Sequence, residues 1–190
     1  KEDPILREFI TSPGMGRVAS ALARGPVRLF ADEALVKMPS ADSGGNTPWH
    51  QDFPYMPFDR IGVFNIWVPL VEVPPSRGSM RFVTGSHRLG PLGRVVHLEN
   101  QDTLTTHPWI LDECEISPPL HLNIGDATVH DFATIHYAPP NETETPRWVY
   151  VITYFPANTL YTGAPQRRTD DLGLVINQPL DHPNFPLVEC

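Results

Sequence analysis

The sequence predicts a mainly β fold, a jelly roll or sandwich preceded by helix, and three features carry that expectation. From residue 27 onward, short stretches of β-branched and aromatic residues recur, each bounded by turn-forming residues. Proline and glycine, at 22 and 13 residues, are spread among these stretches rather than gathered into a repeat, as short strands and frequent turns require. Before residue 26 the period differs: Met15, Val18, Ala19 and Leu22 fall at i, i+3, i+4 and i+7, the spacing of one helical face.

Gly25-Pro26 stops that pattern, so residues 1–25 are expected as a helical flank. The strand candidates that follow are Val27–Phe30, Ala34–Met38, Gly62–Leu70, Ser79–Val83, Val95–Leu98, Pro119–Ile124, Ala127–Asp131 and Trp148–Phe155. They set a jelly-roll core at 27–157. Asp42–Pro48, Pro74–Gly78, Gly90–Gly93 and Ala138–Pro146 carry the Gly and Pro of loops. From Asn158 onward the pattern fades into a polar, proline-containing tail, 158–190. A chain of 190 residues fits one domain, long enough to bury a core without disulfide staples.

Composition narrows the function classes. Hydrophobic residues at 41% and charged residues at 19% exclude a disordered tail or a coiled coil. A net charge of −8 argues against nucleic acid or an anionic membrane as partner, since both reward clustered Lys and Arg. The two cysteines, Cys114 and Cys190, form no CxxC and no disulfide framework, so a reducing, cytoplasmic compartment is the simplest expectation. No apolar run approaches the roughly 20 residues of a membrane span, and no secretory signal opens the sequence.

The candidate chemistry begins at Trp49-His50-Gln51-Asp52. On extended chain His50 and Asp52 point to one side, so an imidazole nitrogen and a carboxylate oxygen can reach one metal ion, two ligands of a facial triad. The tripeptide is weak by itself: with 8 His and 22 acidic residues, chance gives about one such pair, and His97-Leu98-Glu99 is another. Context separates the two. His50 and Asp52 close a Gly-rich loop before the long apolar segment Gly62–Leu70, a position open to a cavity, whereas His97 and Glu99 sit in a short segment followed by Asn100-Gln101-Asp102 and read as exposed strand residues. Gly125-Asp126 opens a turn and strand through Phe132, and His136 lies just beyond. A sheet can bring it back beside the first two; alone it reads as a hydrogen-bonded loop histidine.

Arg147 stands eleven residues after His136, at the start of the apolar segment Trp148–Phe155. A guanidinium turned inward there is costly unless an anion neutralises it, and a carboxylate bound bidentately does so. The bland alternative is a strand-end residue facing solvent.

With these residues in place, the sequence resembles the phytanoyl-CoA dioxygenase family of iron(II)/2-oxoglutarate oxygenases. The resemblance runs from about Ala34 to Pro156. It rests on His50-Gln51-Asp52, the stretch Gly78-Ser79-Met80-Arg81-Phe82-Val83-Thr84-Gly85-Ser86-His87, Gly125-Asp126 leading to His136, and Asn141 with Arg147. It implies a double-stranded β-helix, the cupin-like form of the jelly roll. It also implies Fe(II) held by His50, Asp52 and His136, and 2-oxoglutarate as co-substrate with its distal carboxylate on Arg147. Trp67, Thr47 and Lys37 match residues lining the co-substrate pocket. The reaction implied consumes O2, releases succinate and carbon dioxide, and oxidises a C–H bond of a small-molecule substrate, hydroxylation being the first expectation. Two departures stand out. Only 49 residues precede His50, fewer than is usual in the family, and Ala138 occupies a position where relatives often carry a polar co-substrate contact.

Rival classes use the same residues differently. A metal-dependent isomerase or hydrolase would share the triad but have no use for Arg147; a halogenase of related fold lacks the carboxylate that Asp52 supplies. A non-catalytic ligand-binding jelly roll is the third. Phe53, Tyr55, Phe58, Trp67 and Trp109 can wall an apolar pocket or equally belong to the core. No basic cluster awaits the phosphates of a coenzyme A thioester, Arg167-Arg168 being only a pair in the tail, so a small metabolite or natural-product intermediate is the expected substrate.

Overall fold

Two capping residues divide the amino-terminal flank into separate helices. In the computed structural model, which describes residues 3–42, 45–95 and 101–189, α1 spans Pro4–Ile10 and α2 spans Pro13–Ala23. Asp3 accepts from the amides of Ile5 and Leu6, and Ser12 from that of Met15; a proline at the first turn follows each cap. The helical face expected from residues 15–22 needs correction. Val18 and Leu22 are exposed, and the buried face of α2 runs through Gly16 and Ala19. The cause is the close passage of the chain's end, because a Cβ at Gly16 would stand 1.9 Å from the Glu189 carbonyl oxygen.

Strands follow in the order β1 (Val27–Lys37), β2 (Thr47–His50), β3 (Phe64–Pro69), β4 (Arg81–Phe82), β5 (Thr128–Asp131), β6 (His136–Ala138) and β7 (Arg147–Pro156). One sheet has the order β1-β7-β3-β5 and the other β2-β6-β4. The two segments expected at 27–30 and 34–38 are one strand, β1. Pro119–Ile124 forms only a bridge, Leu122 to Val73, and Ser79–Val83 shortens to β4 with a bridge from Val83 to Ile116. Conversely, β2 begins inside the expected loop Asp42–Pro48, β6 ends at the first residue of the expected loop Ala138–Pro146, and short helices α3 (Thr103–Thr106) and α4 (Ile110–Glu113) were not foreseen. Of the segment Val95–Leu98, residues 96–98 lie outside the described residues, as do His97 and Glu99.

The chain divides into two compact units, Lys1–Asp32 with Tyr55–Asn65 and Ile152–Cys190, and Glu33–Pro54 with Ile66–Val151. In the first, Phe30 packs edge-on against Phe58 and Phe155 and stacks on Phe185, at centroid distances of 4.9, 6.1 and 5.3 Å. The segment expected as a polar tail contributes to this core: Leu180, Phe185 and Val188 are buried, and the Val188 amide donates to the Val27 carbonyl at 3.0 Å. The second unit has an apolar cluster of Trp67, Val73, Met80, Leu122, Ala138 and Val149, and another of Val83, Ile110 and Ile135. Every residue expected at the metal and co-substrate positions belongs to it. Among the described residues no helix is long and apolar enough to cross a membrane.

In the first unit the Tyr154 hydroxyl donates to the Ile10 carbonyl at 2.6 Å in a buried setting. Tyr154→Phe leaves that carbonyl unsatisfied, so unfolding stability should fall by about 1–3 kcal/mol. Urea denaturation checks this: the midpoint should drop while the slope stays unchanged.

Candidate functional site

β2 lies antiparallel to β6 with Thr47 opposite Ala138 and His50 opposite His136, and between those pairs β2 carries one residue more than β6. Such a bulge re-aims side chains locally. It leaves the His50 and His136 rings 4.2 Å apart between centroids. Asp52, just past the strand, places Oδ1 3.5 Å from His50 Nε2 and Oδ2 4.0 Å from His136 Nε2. One donor atom from each of the three lies within 4.8 Å of the others.

The tautomers are fixed by backbone. Nδ1 of His50 lies 2.8 Å from the Pro48 carbonyl and Nδ1 of His136 lies 3.0 Å from that of Thr134. A carbonyl only accepts, so each Nδ1 carries a proton; Nε2 of each ring is on the side of Asp52, that of His50 donating to the carboxylate while the ring is protonated and offering a lone pair to a metal once that proton is lost. Burial pushes the Asp52 carboxyl upward, but the charges of His136, His50 and His130 and a hydrogen bond from His50 outweigh it. The carboxyl stays well below its usual range. Burial, together with the charge of His50, holds His136 below the ordinary histidine value against the pull of Asp52. For His50 burial acts in the same direction, yet the hydrogen bond and charge of Asp52 and backbone hydrogen bonds raise it overall. Two imidazoles and one carboxylate in this arrangement suit a divalent first-row metal with open positions, the donor set of non-haem iron(II).

Neighbouring residues hold the three in place. Gln51 is buried between the histidine and the aspartate: its amide nitrogen donates to the carbonyls of Gly90 and Ala133 at 2.9 and 2.6 Å, and its oxygen accepts from the Leu92 amide at 2.8 Å. It therefore ties the metal loop to residues 90–92 and to the turn before His136. Ser86, in the Gly-Ser-His turn, donates to Val83 and accepts from the Ile135 amide at 2.9 Å. The residue missed in the sequence is His130, buried with its ring 4.7 Å from that of His136. Burial first, then the charges of His136 and His50, holds it neutral, with a pKa of about 3. The available signal was strand alternation, which sets Thr128 and His130 on one face of β5.

A cationic region reaches β6 two residues from His136, where the Lys37 ammonium meets the Ala138 carbonyl. Arg147 is buried at the start of β7, where one guanidinium nitrogen donates to the Gly78 carbonyl, Cζ lies 5.3 Å from the Trp67 ring centroid, and Nε is buried with no hydrogen-bond partner. Among the described residues no carboxylate forms an ion pair with it. Burial brings its pKa down to about 10. Lys37 ends β1 nearby, and its ammonium donates to the carbonyls of Gly45, Ala138 and Pro139 at 3.0, 3.1 and 2.9 Å and to the Thr47 hydroxyl at 3.4 Å. Burial and then the charge of Arg147 lower it to about 8. Gly78 makes this approach possible: a Cβ there would lie 2.8 Å from the Pro139 carbonyl oxygen and 3.0 Å from Lys37 Cδ. Two buried cations and an orphaned guanidinium N–H fit a small organic anion.

The structure thus brings together His50, Asp52 and His136, and separately Arg147 with Trp67 and Lys37 with Thr47. Ala138 packs with Trp67 and Met80, so the departure at that position is filled by apolar contact. Asn141 is structural: it donates to the Lys37 and Thr145 carbonyls and accepts from Thr143. Of the expected walls, Phe58 belongs to the aromatic core of the first unit and Trp109 is exposed beside His107, at 6.3 Å.

The sequence profile of the phytanoyl-CoA dioxygenase family matches residues 1–149. The chain belongs to that family. Among curated members, a methylphosphonate hydroxylase of Gimesia maris is 26% identical over 78% of this chain and 53% of its own length. Phytanoyl-CoA dioxygenase 1 of Oryza sativa subsp. japonica is 24% identical over 70% and 47%. The chain thus spans about half the length of these relatives. Among solved structures, the α-ketoglutarate-dependent carbocyclase SnoK from nogalamycin biosynthesis superposes with a TM-score of 0.80, at 28% identity over 97% of this chain and 72% of its own. The epimerase SnoN, in complex with Fe3+, α-ketoglutarate and nogalamycin RO, gives 0.79 at 30% identity over 98% and 75%. The two-sheet architecture with amino-terminal helices is therefore that of the family's double-stranded β-helix.

His50→Ala, Asp52→Ala and His136→Ala should each abolish iron(II) binding in folded protein, while His97→Ala and Glu99→Ala leave it unchanged; metal titration decides, and wild-type affinity in any two of the three sinks the assignment. Gln51→Glu would set a carboxylate against two carbonyls, and metal affinity should fall by about 10-fold or more with secondary structure retained, read by the same titration and circular dichroism.

Proposed function

We propose that this family member is an Fe(II)/2-oxoglutarate-dependent oxygenase. It oxidises a C–H bond of a small-molecule metabolite or natural-product intermediate, by hydroxylation in the first instance, and releases succinate and carbon dioxide. The observation that carries the reading is a two-histidine, one-carboxylate donor set in one unit with a buried Arg147 that no carboxylate among the described residues pairs with, linked toward it through Gly78, Lys37 and the Ala138 carbonyl two residues from His136. Isomerases and hydrolases that use such a triad have no need of the second element.

His50, Asp52 and His136 would hold the iron, which when bound supplies the activation of O2 that no side chain can provide. Arg147 would clamp the distal carboxylate of 2-oxoglutarate, with Trp67 under its guanidinium limiting the directions in which it can turn. Lys37 adds positive charge at the same end, anchored by three carbonyls and Thr47. Three protein donors on one face leave room for the keto oxygen and neighbouring carboxylate of the co-substrate. Holding the reactants in this way is the protein's main contribution to rate. The solved relatives named for nogalamycin biosynthesis support a natural-product substrate.

The test is a substrate screen reading succinate under O2 with iron(II) and 2-oxoglutarate; turnover that persists without O2 would sink the oxygenase reading. Arg147→Lys keeps the charge but loses the planar fork, so the apparent affinity for 2-oxoglutarate should fall by about 10-fold or more, ~1.4 kcal/mol, with iron binding intact. An unchanged 2-oxoglutarate dependence in iron-loaded Arg147→Ala would remove Arg147 from the site.

A further inference from the structure

Two buried polar atoms of the second unit, Ser79 Oγ and Arg147 Nε, have no hydrogen-bond partner among the described residues. Ser79 is fully covered, at 0% exposure, and Arg147 nearly so, at 6%. A hydroxyl and a guanidinium N–H taken out of water with nothing in return are costly, and native proteins keep few such groups.

The two atoms are neighbours. The Arg147 guanidinium donates to the carbonyl of Gly78, the residue directly before Ser79. Covalent geometry across a trans peptide then holds Ser79 Oγ within about 5 Å of that carbonyl oxygen. Gly78 itself lies against both cations: a Cβ there would stand 3.0 Å from Lys37 Cδ and 3.5 Å from the Arg147 nitrogen that makes this bond. On the other side of Ser79, Met80 packs in the cluster that holds Trp67, over whose ring Arg147 lies, and Ala138, whose carbonyl accepts from Lys37. Ser79 thus stands between two residues that each border the cationic region.

The orphaned atoms also share a chemical demand. A guanidinium only donates, and a serine hydroxyl has one proton that rotates to suit its partner. The two do not bond to each other, so each calls for an acceptor from outside the protein. A carboxylate carries two oxygens, each accepting at about 2.8 Å, and its charge answers that of Arg147 and Lys37.

We infer that the Ser79 hydroxyl is a further co-substrate contact, donating to the same distal carboxylate of 2-oxoglutarate that Arg147 clamps. The inference rests on the oxygenase reading and adds a residue to it. A neutral donor beside two cations strengthens the grip on the carboxylate without adding charge that would repel them. Because the hydroxyl is satisfied only when the anion is bound, Ser79 lowers the stability of the empty protein while raising its affinity.

The test reads binding rather than turnover, by isothermal titration calorimetry of Mn(II)-loaded protein without oxygen. The probes are 2-oxoglutarate and 2-oxopentanoate, which has the same chain length and chelating end but lacks the distal carboxylate. Ser79→Ala should weaken 2-oxoglutarate binding by about 10-fold and leave 2-oxopentanoate binding unchanged. Thermal unfolding of the ligand-free protein is the second measurement: removal of an unsatisfied hydroxyl should leave Ser79→Ala melting at or above the wild-type temperature. Unchanged 2-oxoglutarate affinity, or equal weakening of both probes, would overturn the inference. So would a lower melting temperature, the mark of a hydroxyl already satisfied without the anion. All three outcomes leave the oxygenase reading standing, whereas wild-type protein that binds Mn(II) but no 2-oxoglutarate would take down that reading, and this inference with it.

Discussion

The pairing of β2 with β6 sets His50 across from His136, and the alternation of side chains along a strand makes that register consequential. A slip of one residue would turn His50 to the other side of the sheet and bring Gln51 to its place, a position from which no metal ligand could be offered. The extra residue on β2 between Thr47 and His50 defines the register, and backbone carbonyls at Pro48 and Thr134 then fix both rings. Gln51, on the opposite face of the chain, uses each of its polar atoms to bind the segments on either side. The ligand geometry is therefore a property of backbone pairing before it is one of side chains.

The cationic end depends on backbone as well. Burying a guanidinium and an ammonium together costs both desolvation and repulsion, and their lowered proton affinities express that cost. Carbonyl oxygens from Gly45, Gly78, Ala138 and Pro139 offset part of it without cancelling charge. Had a carboxylate filled this role, the pair would have been neutral and closed to a ligand. Dipoles hold the cations in place while leaving their charge available, which is the condition for a site that must bind an anion and release its product. The glycine at position 78 is part of that condition, since a side chain there would collide with Pro139 and Lys37.

How much of this could be read from the sequence varied with how local the cause was. His50 and Asp52 were legible because two-residue spacing on extended chain is itself geometry, and Arg147 because a charge at the head of an apolar strand demands a reason. β2 and β6 were not legible: Thr-Pro-Trp-His carries a proline, His-Tyr-Ala is too short to show a period, and both are strands through pairing, β6 with β2 on one side and β4 on the other. The same holds for the chain after Asn158, where Leu180, Phe185 and Val188 are too widely spaced among polar residues to signal burial, yet pack onto aromatic residues far away in sequence. Val18 and Leu22 failed in the opposite sense. Their spacing was helical, but Gly16, which no hydrophobicity scale marks, met the Glu189 carbonyl and decided which face was covered.

His130 shows why proximity to a metal position is the hardest property to see in a sequence. It sits in an unremarkable strand, six residues before a ligand, and nothing in its neighbours marks it. Folding places its ring against that of His136. Burial keeps it uncharged, so it adds hydrogen-bonding capacity beside His136 without adding positive charge there.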